Sequence, residues 1–253
     1  MREVPSGSLR VSCAVALAQT DLARILPQFL AAYPQIRLEL IVTNRRIELI
    51  EEGIDIALRV HTAGDEEAHL VTRRFRPAPG LIVVHPELLQ SQGPIAEPED
   101  LAKIPVMGFG AADRKLSWTL VGADGEKRDV TLTARLTTDD FNVLRNAALS
   151  GIRATMLPSA YCMGDVQAGR LMPLLTQWSV PTATLQAVYV SRRGMVPAVR
   201  SFLDFLEDNL GEQRPSEKVK GESATGIKPQ VTFCQKRSNR IAQTVADSPV
   251  PDH

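Results

Sequence analysis

The sequence has no excess of charge of either sign. Its 253 residues include 29 Lys and Arg and 29 Asp and Glu, so the formal net charge is zero. Proteins that bind nucleic acid over a broad surface are usually basic, so this balance argues against such a role for the chain as a whole. A local basic patch remains compatible with it.

Cysteine is scarce, and long apolar runs are absent. The three cysteines, Cys13, Cys162 and Cys234, lie far apart, and no Cys/His cluster has the spacing of metal ligands. No apolar run approaches the roughly 18 residues of a membrane-spanning helix. The opening MREVPSGSLRVS lacks the apolar core of a secretory signal. We therefore expect a cytoplasmic protein with reduced thiols, no metal and no cofactor.

Catalytic motifs are also missing. Neither G-x-S-x-G nor H-E-x-x-H occurs, and the chain has only four histidines. Cys13 ends an apolar run, where a small buried hydrophobic side chain is a better interpretation than a redox sensor. We predict no catalytic residue and no enzyme activity.

The first quarter of the chain alternates strand and helix patterns. The predicted strands are Ser8–Ala14, Ile36–Val42 and Ile54–Val60. Apolar residues at helical spacing predict a helix over Thr20–Tyr33 with Thr20 as its N-cap. A short helix is expected over Arg45–Glu52, ended by Gly53. This alternation predicts a parallel sheet with right-handed crossovers.

Further strand and helix patterns follow. The predicted strands are Leu81–Val84, Val106–Phe109, Val130–Leu136, Ile152–Leu157, Leu171–Leu174 and Thr184–Val190. Helices are predicted from Thr137 to Leu149, over Ser159–Ala168 and over Val196–Leu210. After Leu210 the chain is polar with few large apolar residues, so residues 211–253 are predicted to be a disordered tail.

Asp55 and Arg59 lie at opposite ends of the third predicted strand, within EEGIDIALRV. In open α/β sheets ligands bind beyond the carboxyl ends of the strands, so Arg59 falls at the ligand edge. For Asp55 we expect a local hydrogen bond to the backbone. For Arg59 two interpretations stay open: contact with a ligand, or a salt bridge at the seam between two subdomains.

Several segments between about Pro5 and Leu210, taken in order, resemble one family. They are PSGSLRVS, LPQFLAAYPQIRLEL, ELIEEGIDIALRV, TTDDFNVLRNAALSGI followed by MLPSAY, AGRLMPLL, and AVYVSRRGMVPAVRSFLDFL. The ordered set resembles the effector-binding domain of LysR-type transcriptional regulators. The stretch SGIRATMLP departs from the usual family run, with Ser150 and Arg153 in unusual places.

The resemblance implies an α/β fold like that of type 2 periplasmic binding proteins, with two α/β subdomains joined by two crossover strands. Subdomain I would comprise about residues 8–72 and 184–210, and subdomain II about 78–176. Residues 1–7 resemble the end of a linker helix. Promoter DNA would be bound only through a missing N-terminal winged helix-turn-helix, and the protein would form a homodimer or tetramer.

The same resemblance places a small-molecule effector in the cleft between the subdomains. Two predicted helix N-termini, at Gln19–Asp21 and Thr138–Asp140, would favour an anion there, so we expect a small carboxylate. The candidate effector-binding residues are Val15, Ala16, Leu17, Thr43, Asn44, Arg59, Phe109, Thr138, Asp139, Pro158 and Ala160.

Two other functions are compatible with this kind of scaffold. A periplasmic-type solute-binding protein of a transporter has the same fold but needs a signal peptide or a lipobox. An enzyme would need a nucleophile with a base, or a metal constellation. The PSGSLRVS start resembles the end of a linker helix and favours the regulator over the transporter component.

Overall fold

The computed structural model describes residues 5–61, 70–110, 113–190 and 196–211. Within these ranges no helix is long and apolar enough to cross a membrane. The predicted disordered tail lies outside them, apart from Gly211. Two β-sheets organise the described part of the chain, and we call each sheet with its helices a lobe.

Five strands form the sheet of the first lobe. They are β1 (Gly7–Cys13), β2 (Ile36–Val42), β3 (Ile56–His61), β4 (Leu70–Ala78) and β11 (Ala183–Val190). Their order is β2-β1-β3-β11-β4. β1 is parallel to β2 and β3, whereas β11 is antiparallel to β3 and β4. The carboxyl ends of the parallel strands therefore lie at one edge of the sheet, where Cys13 is opposite Val42 and Leu58 and β3 continues to His61.

One long helix and the last helix fill the core of this lobe. α1 (Val15–Leu17), a π-helical segment (Ala18–Leu22) and α2 (Ala23–Ala32) follow one another, and we call them together the first helix. α6 (Pro197–Leu210) packs beside it. The buried rings of Phe29 and Phe202 meet edge to face, with centroids 4.9 Å apart.

Six strands form the sheet of the second lobe. They are β5 (Gly80–Val84), β6 (Val106–Phe109), β7 (Lys115–Val121), β8 (Lys127–Thr138), β9 (Ala154–Pro158) and β10 (Met172–Pro173), in the order β10-β5-β9-β6-β8-β7. The helices are α3 (Pro86–Gln92), α4 (Phe141–Leu149), α5 (Ser159–Gln167) and a 3₁₀ turn over Pro98–Lys103.

Two strands of the first sheet connect the lobes. β4 ends at Ala78 and leads directly into β5, and β11 brings the chain back after β10. Because both belong to the first sheet, the second lobe is a continuous stretch inserted into the first. The predicted two-part α/β fold with two crossing strands is confirmed.

The predicted helix over Arg45–Glu52 is wrong, because this segment forms turns. Ile47 and Leu49 are both buried in a small cluster with Ile54. Residues two apart point to opposite sides of a helix, so a short surface helix with one buried face would not bury both. Gly53 nevertheless adopts the left-handed conformation expected of it, with φ +63°.

The prediction that Thr20 caps a helix is also wrong. The helix begins at Val15, and the Thr20 hydroxyl lies inside it and donates to the carbonyl of Ala16 at 2.9 Å. The side-chain oxygen of Asn44 accepts from the N–H of Val15 at 3.1 Å. A distant residue therefore supplies the cap, which the local sequence does not show.

Asp55 makes the expected backbone contact. It lies just before β3, which starts at Ile56 rather than at Ile54 as predicted. Its Oδ2 accepts from the N–H of Arg10 at 2.8 Å, and its own N–H donates to the carbonyl of Arg10 at 2.9 Å. These two bonds fix the register of β3 against β1 at the edge away from the cleft.

Candidate functional site

A cavity of about 910 Å³ lies between the lobes. This size is typical of a site for a small molecule. Eight of the candidate residues line it: Ala16, Leu17, Thr43, Asn44, Arg59, Phe109, Pro158 and Ala160. The other three, Val15, Thr138 and Asp139, are not part of the wall, but Thr138 pairs with Phe109 in the sheet and Asp139 accepts a hydrogen bond from Asn44.

Asn44 connects the two lobes at one side of the cavity. Besides capping the first helix at Val15, its side-chain nitrogen donates to the carbonyl of Asp139 at 2.6 Å. Val15 and Asp139 thus contact the wall residue Asn44 through their backbone N–H and carbonyl groups. The hydroxyl of Thr138 accepts from the N–H of Asp140 at 3.2 Å and shapes the turn before α4.

The helix N-termini differ from the prediction. Gln19–Asp21 is the π segment rather than a terminus. At the start of α4, the Asp140 side chain accepts from the N–H groups of Asn142 at 2.6 Å and Val143 at 3.3 Å. A carboxylate of the chain therefore already binds these donors, and the start of α4 does not provide an anion site.

Gln19 makes a second connection between the lobes. Its side-chain oxygen accepts from the side-chain nitrogen of Asn142 at 2.7 Å and from the hydroxyl of Tyr161 at 2.9 Å. Burial, with a smaller effect of the Asp140 charge, raises the pKa of Tyr161 to about 12, so the phenol stays protonated and can donate. Gln19 lies in the π segment, a conformation that often occurs at functional sites.

Positive side chains dominate the charge of the wall. The described wall residues with a cationic side chain are Arg45, Arg46, Arg59, Arg76 and Lys115. Asp21 is the sole carboxylate among the wall residues that the structure describes. The Arg76 guanidinium donates to both oxygens of Asp21 at 2.8 Å, joining β4 to the first helix.

Arg59 and Arg45 are held in different ways. Nη2 of Arg59 donates to the carbonyl of Ile47 at 2.8 Å, and the side chain is half-buried. Arg45 binds the carboxylate of Glu52, and this hydrogen bond holds the pKa of Glu52 at about 2. Neighbouring groups therefore anchor both guanidinium groups at the wall.

Aromatic side chains form the wall on the side of the second lobe. The rings of Phe109 and Phe141 stack with centroids 4.2 Å apart and planes 16° from parallel. Tyr161 lies next to Phe141 at 5.7 Å. All three residues line the cavity.

The chemistry of the wall does not suggest reactivity. Cys13 is buried, and burial raises the pKa of its thiol to about 12, so the prediction of a small buried hydrophobic residue is confirmed. In the described ranges no group of three or more His, Cys, Asp or Glu residues could hold a metal ion.

The family model of the LysR substrate binding domain matches residues 2–211. The chain belongs to the LysR family of transcriptional regulators. It is 33% identical over 215 residues to the HTH-type transcriptional regulator CrgA of Neisseria meningitidis, which covers 83% of this chain and 70% of CrgA. It is 25% identical over 209 residues to the regulator PtxR of Pseudomonas aeruginosa, covering 83% of this chain and 66% of PtxR.

Solved structures agree with the fold of a LysR domain. The structure of CrgA superposes with a TM-score of 0.71 at 32% identity, over 83% of this chain and 71% of that one. Full-length AphB of Vibrio cholerae has a TM-score of 0.73 at 23% identity, over 83% and 70%. The predicted fold like type 2 periplasmic binding proteins is confirmed. Relatives named as transcriptional regulators also confirm the prediction that the chain is not an enzyme, and they favour the regulator over the transporter component.

The candidate residues predicted from sequence cover only part of the wall of this LysR domain, and those they leave out include Asp21, Arg76, Phe141 and Tyr161. Asp21 was placed near the site only as part of a helix terminus. Arg76 lies on β4, a strand that no pattern predicted. Phe141 follows Asp140 at the start of α4, and Tyr161 lies in the first turn of α5, just after Pro158 and Ser159. Adding the first-turn residues of each predicted helix to the candidates would therefore have included both.

Proposed function

We propose that this LysR domain binds a small effector with a carboxylate group in the cleft between its lobes. The excess of cationic over anionic side chains among the described wall residues carries the proposal. Occupancy of the cleft would control DNA-dependent transcription, with promoter DNA bound through a winged helix-turn-helix N-terminal to this domain. Such a regulator acts in the cytoplasm, where the DNA is.

Arg59 is the residue that we propose to hold the carboxylate. It lies in β3, close to the carboxyl end of the strand, where ligands of parallel sheets bind. A guanidinium can hold a carboxylate through two parallel hydrogen bonds, and the contact with Ile47 restricts its orientation.

We expect Arg59→Lys to weaken binding of small carboxylates by about ten- to a hundredfold. The planar fork is lost although the charge stays, which costs about 1.5–3 kcal/mol for a hydrogen bond to a charged group. Calorimetric titration with a panel of mono- and dicarboxylates measures this. Arg37→Lys, on an exposed position of β2, is the matched control.

Melting curves without ligand separate the two interpretations of Arg59. If it binds the effector, Arg59→Lys changes the melting temperature little. If it braces the fold, the melting temperature falls and affinity follows only indirectly. Equal affinity of the wild type and Arg59→Lys for every acid that binds would contradict the proposed role.

We also propose that the domain forms a homodimer through the exposed face of the first helix. Leu30 on that helix is 44% exposed, and Val143 and Met163 on the second lobe are exposed to a similar degree. A two-fold contact would use both patches twice. Sedimentation velocity over micromolar concentrations is expected to show a dimer, and a monomer at every concentration would contradict it.

A further inference from the structure

Phe109 is held in the cavity wall by its two glycine neighbours. Gly108 packs so closely on β7 that an added Cβ would lie 2.1 Å from the side chain of Leu116. Gly110 has φ +71°, which few other residues adopt readily, and its N–H donates to the carbonyl of Thr138 at 3.0 Å. The sequence Gly-Phe-Gly therefore fixes the last residue of β6 at the edge of the sheet.

The ring of Phe109 is fixed as well. Phe141 covers one of its faces, and Phe141 is itself held as the first residue of α4, which Asp140 caps. Tyr161 supports Phe141 from the other helix, and its hydroxyl is bound by Gln19. An ordered aromatic surface loses little entropy when a ligand binds to it.

Phe109 is nevertheless 40% exposed, although the three residues before it in β6 are buried. Because Phe141 covers one face, the accessible area belongs mainly to the other face and the edge of the ring. Leaving an apolar ring open to water is unfavourable, and burying it against a ligand would recover that free energy. A second ring in an offset or edge-to-face arrangement contributes free energy beyond that of the apolar area it buries, and an aliphatic group lacks this extra contribution.

We infer that the effector is an aromatic carboxylate whose ring contacts Phe109. The inference rests on the proposed function, since it adds a ring to the carboxylate proposed above. The cationic wall residues would bind the carboxylate of the ligand, and Phe109, supported by Phe141, would contact its ring. Phe109 then determines specificity for aromatic over aliphatic acids.

Four compounds test the ring and the charge separately: benzoate, cyclohexanecarboxylate, benzamide and cyclohexanecarboxamide. Each is titrated calorimetrically into the full chain and into Phe109→Leu and Phe109→Tyr. We expect benzoate to bind about three- to tenfold more tightly than cyclohexanecarboxylate, the factor that an aromatic pair adds. Phe109→Leu is expected to abolish this preference, and Phe109→Tyr, which keeps a ring, to retain it.

The outcomes for the ring and for the carboxylate are distinguishable. Equal binding of the two acids, or a preference that survives in Phe109→Leu, would overturn the aromatic inference and leave the carboxylate proposal standing. Amides that bind as tightly as their acids would overturn the carboxylate proposal, and a preference for benzamide that depends on Phe109 would still support the ring contact. If none of the four binds at millimolar concentration, both are overturned.

Discussion

Replacing Phe29 by alanine is expected to lower the free energy of unfolding by about 3–5 kcal/mol. The side chain is fully buried, and its ring lies 4.9 Å from the rings of Tyr33 and Phe202 and 5.2 Å from that of Phe205. Alanine would leave a cavity where the first helix meets α6. Equilibrium unfolding in urea measures the change.

Ile50→Ala is the control for this substitution. Ile50 is 62% exposed, so removing most of its side chain is expected to change the free energy of unfolding by no more than about 0.5 kcal/mol. If Phe29→Ala and Ile50→Ala unfold at the same urea concentration, the core of the first lobe does not depend on the ring cluster.

Replacing Asp165 by asparagine is expected to destabilise the protein by about 3 kcal/mol. The Asp165 side chain is 1% exposed and accepts two hydrogen bonds from Arg145, at 2.6 and 3.0 Å, and two from Arg170, at 2.9 and 2.6 Å. An amide would turn an NH₂ group toward a guanidinium. Four such hydrogen bonds do not add up, because both arginines stay partly solvated. We therefore expect a loss of about 3 kcal/mol, the upper end of what one hydrogen bond to a charged group contributes.

The effect of Asp165→Asn should depend on pH. Burial raises the pKa of Asp165, but the hydrogen bonds and charges of Arg145 and Arg170 outweigh it and hold the pKa below its ordinary value. A lowered folded-state pKa stabilises the protein above the unfolded value of about 4, and this contribution is lost as the pH falls through the folded-state pKa. The difference between wild type and Asp165→Asn should thus be constant near neutrality and shrink below about pH 4.

Asp204→Asn provides the comparison for Asp165→Asn. Asp204 also pairs with an arginine, Arg73, but its side chain is 62% exposed, and exposed pairs contribute roughly 0–1 kcal/mol. Urea unfolding between pH 3 and 7 measures all three proteins. A loss at Asp165 no larger than that at Asp204 would show that the buried network contributes nothing special.

Local sequence patterns predicted those strands and helices whose own apolar residues form their buried face. Val106–Phe109 was predicted with the observed bounds. β7 has the alternation of buried Leu116, Trp118 and Leu120 that typifies a strand, so it could have been predicted. β4 carries three arginines in nine residues and has no such pattern. Its position depends instead on pairing with β11 and on the ion pairs of Arg73 and Arg76, which a local pattern does not show.

The site was less predictable than the fold because its contacts join distant segments. Asn44 caps a helix that begins 29 residues earlier, and Gln19 binds side chains more than 120 residues away. The rule that ligands bind at the carboxyl ends of parallel strands placed Arg59 and Phe109 at the cavity. It could not show that Asp140 already occupies the start of α4 or that the ring of Phe141 would lie on that of Phe109.

The position of β11 between β3 and β4 determines the order in which the sheets can be completed during translation. Every strand of the second sheet leaves the ribosome before Ala183, where β11 begins. Until then β3 lacks a neighbour on one side, and β4 has no partner among the described strands. The second lobe can thus complete its sheet during translation while the first lobe still lacks β11. Until β11 is made, β3 exposes an unpaired strand edge that other chains could bind.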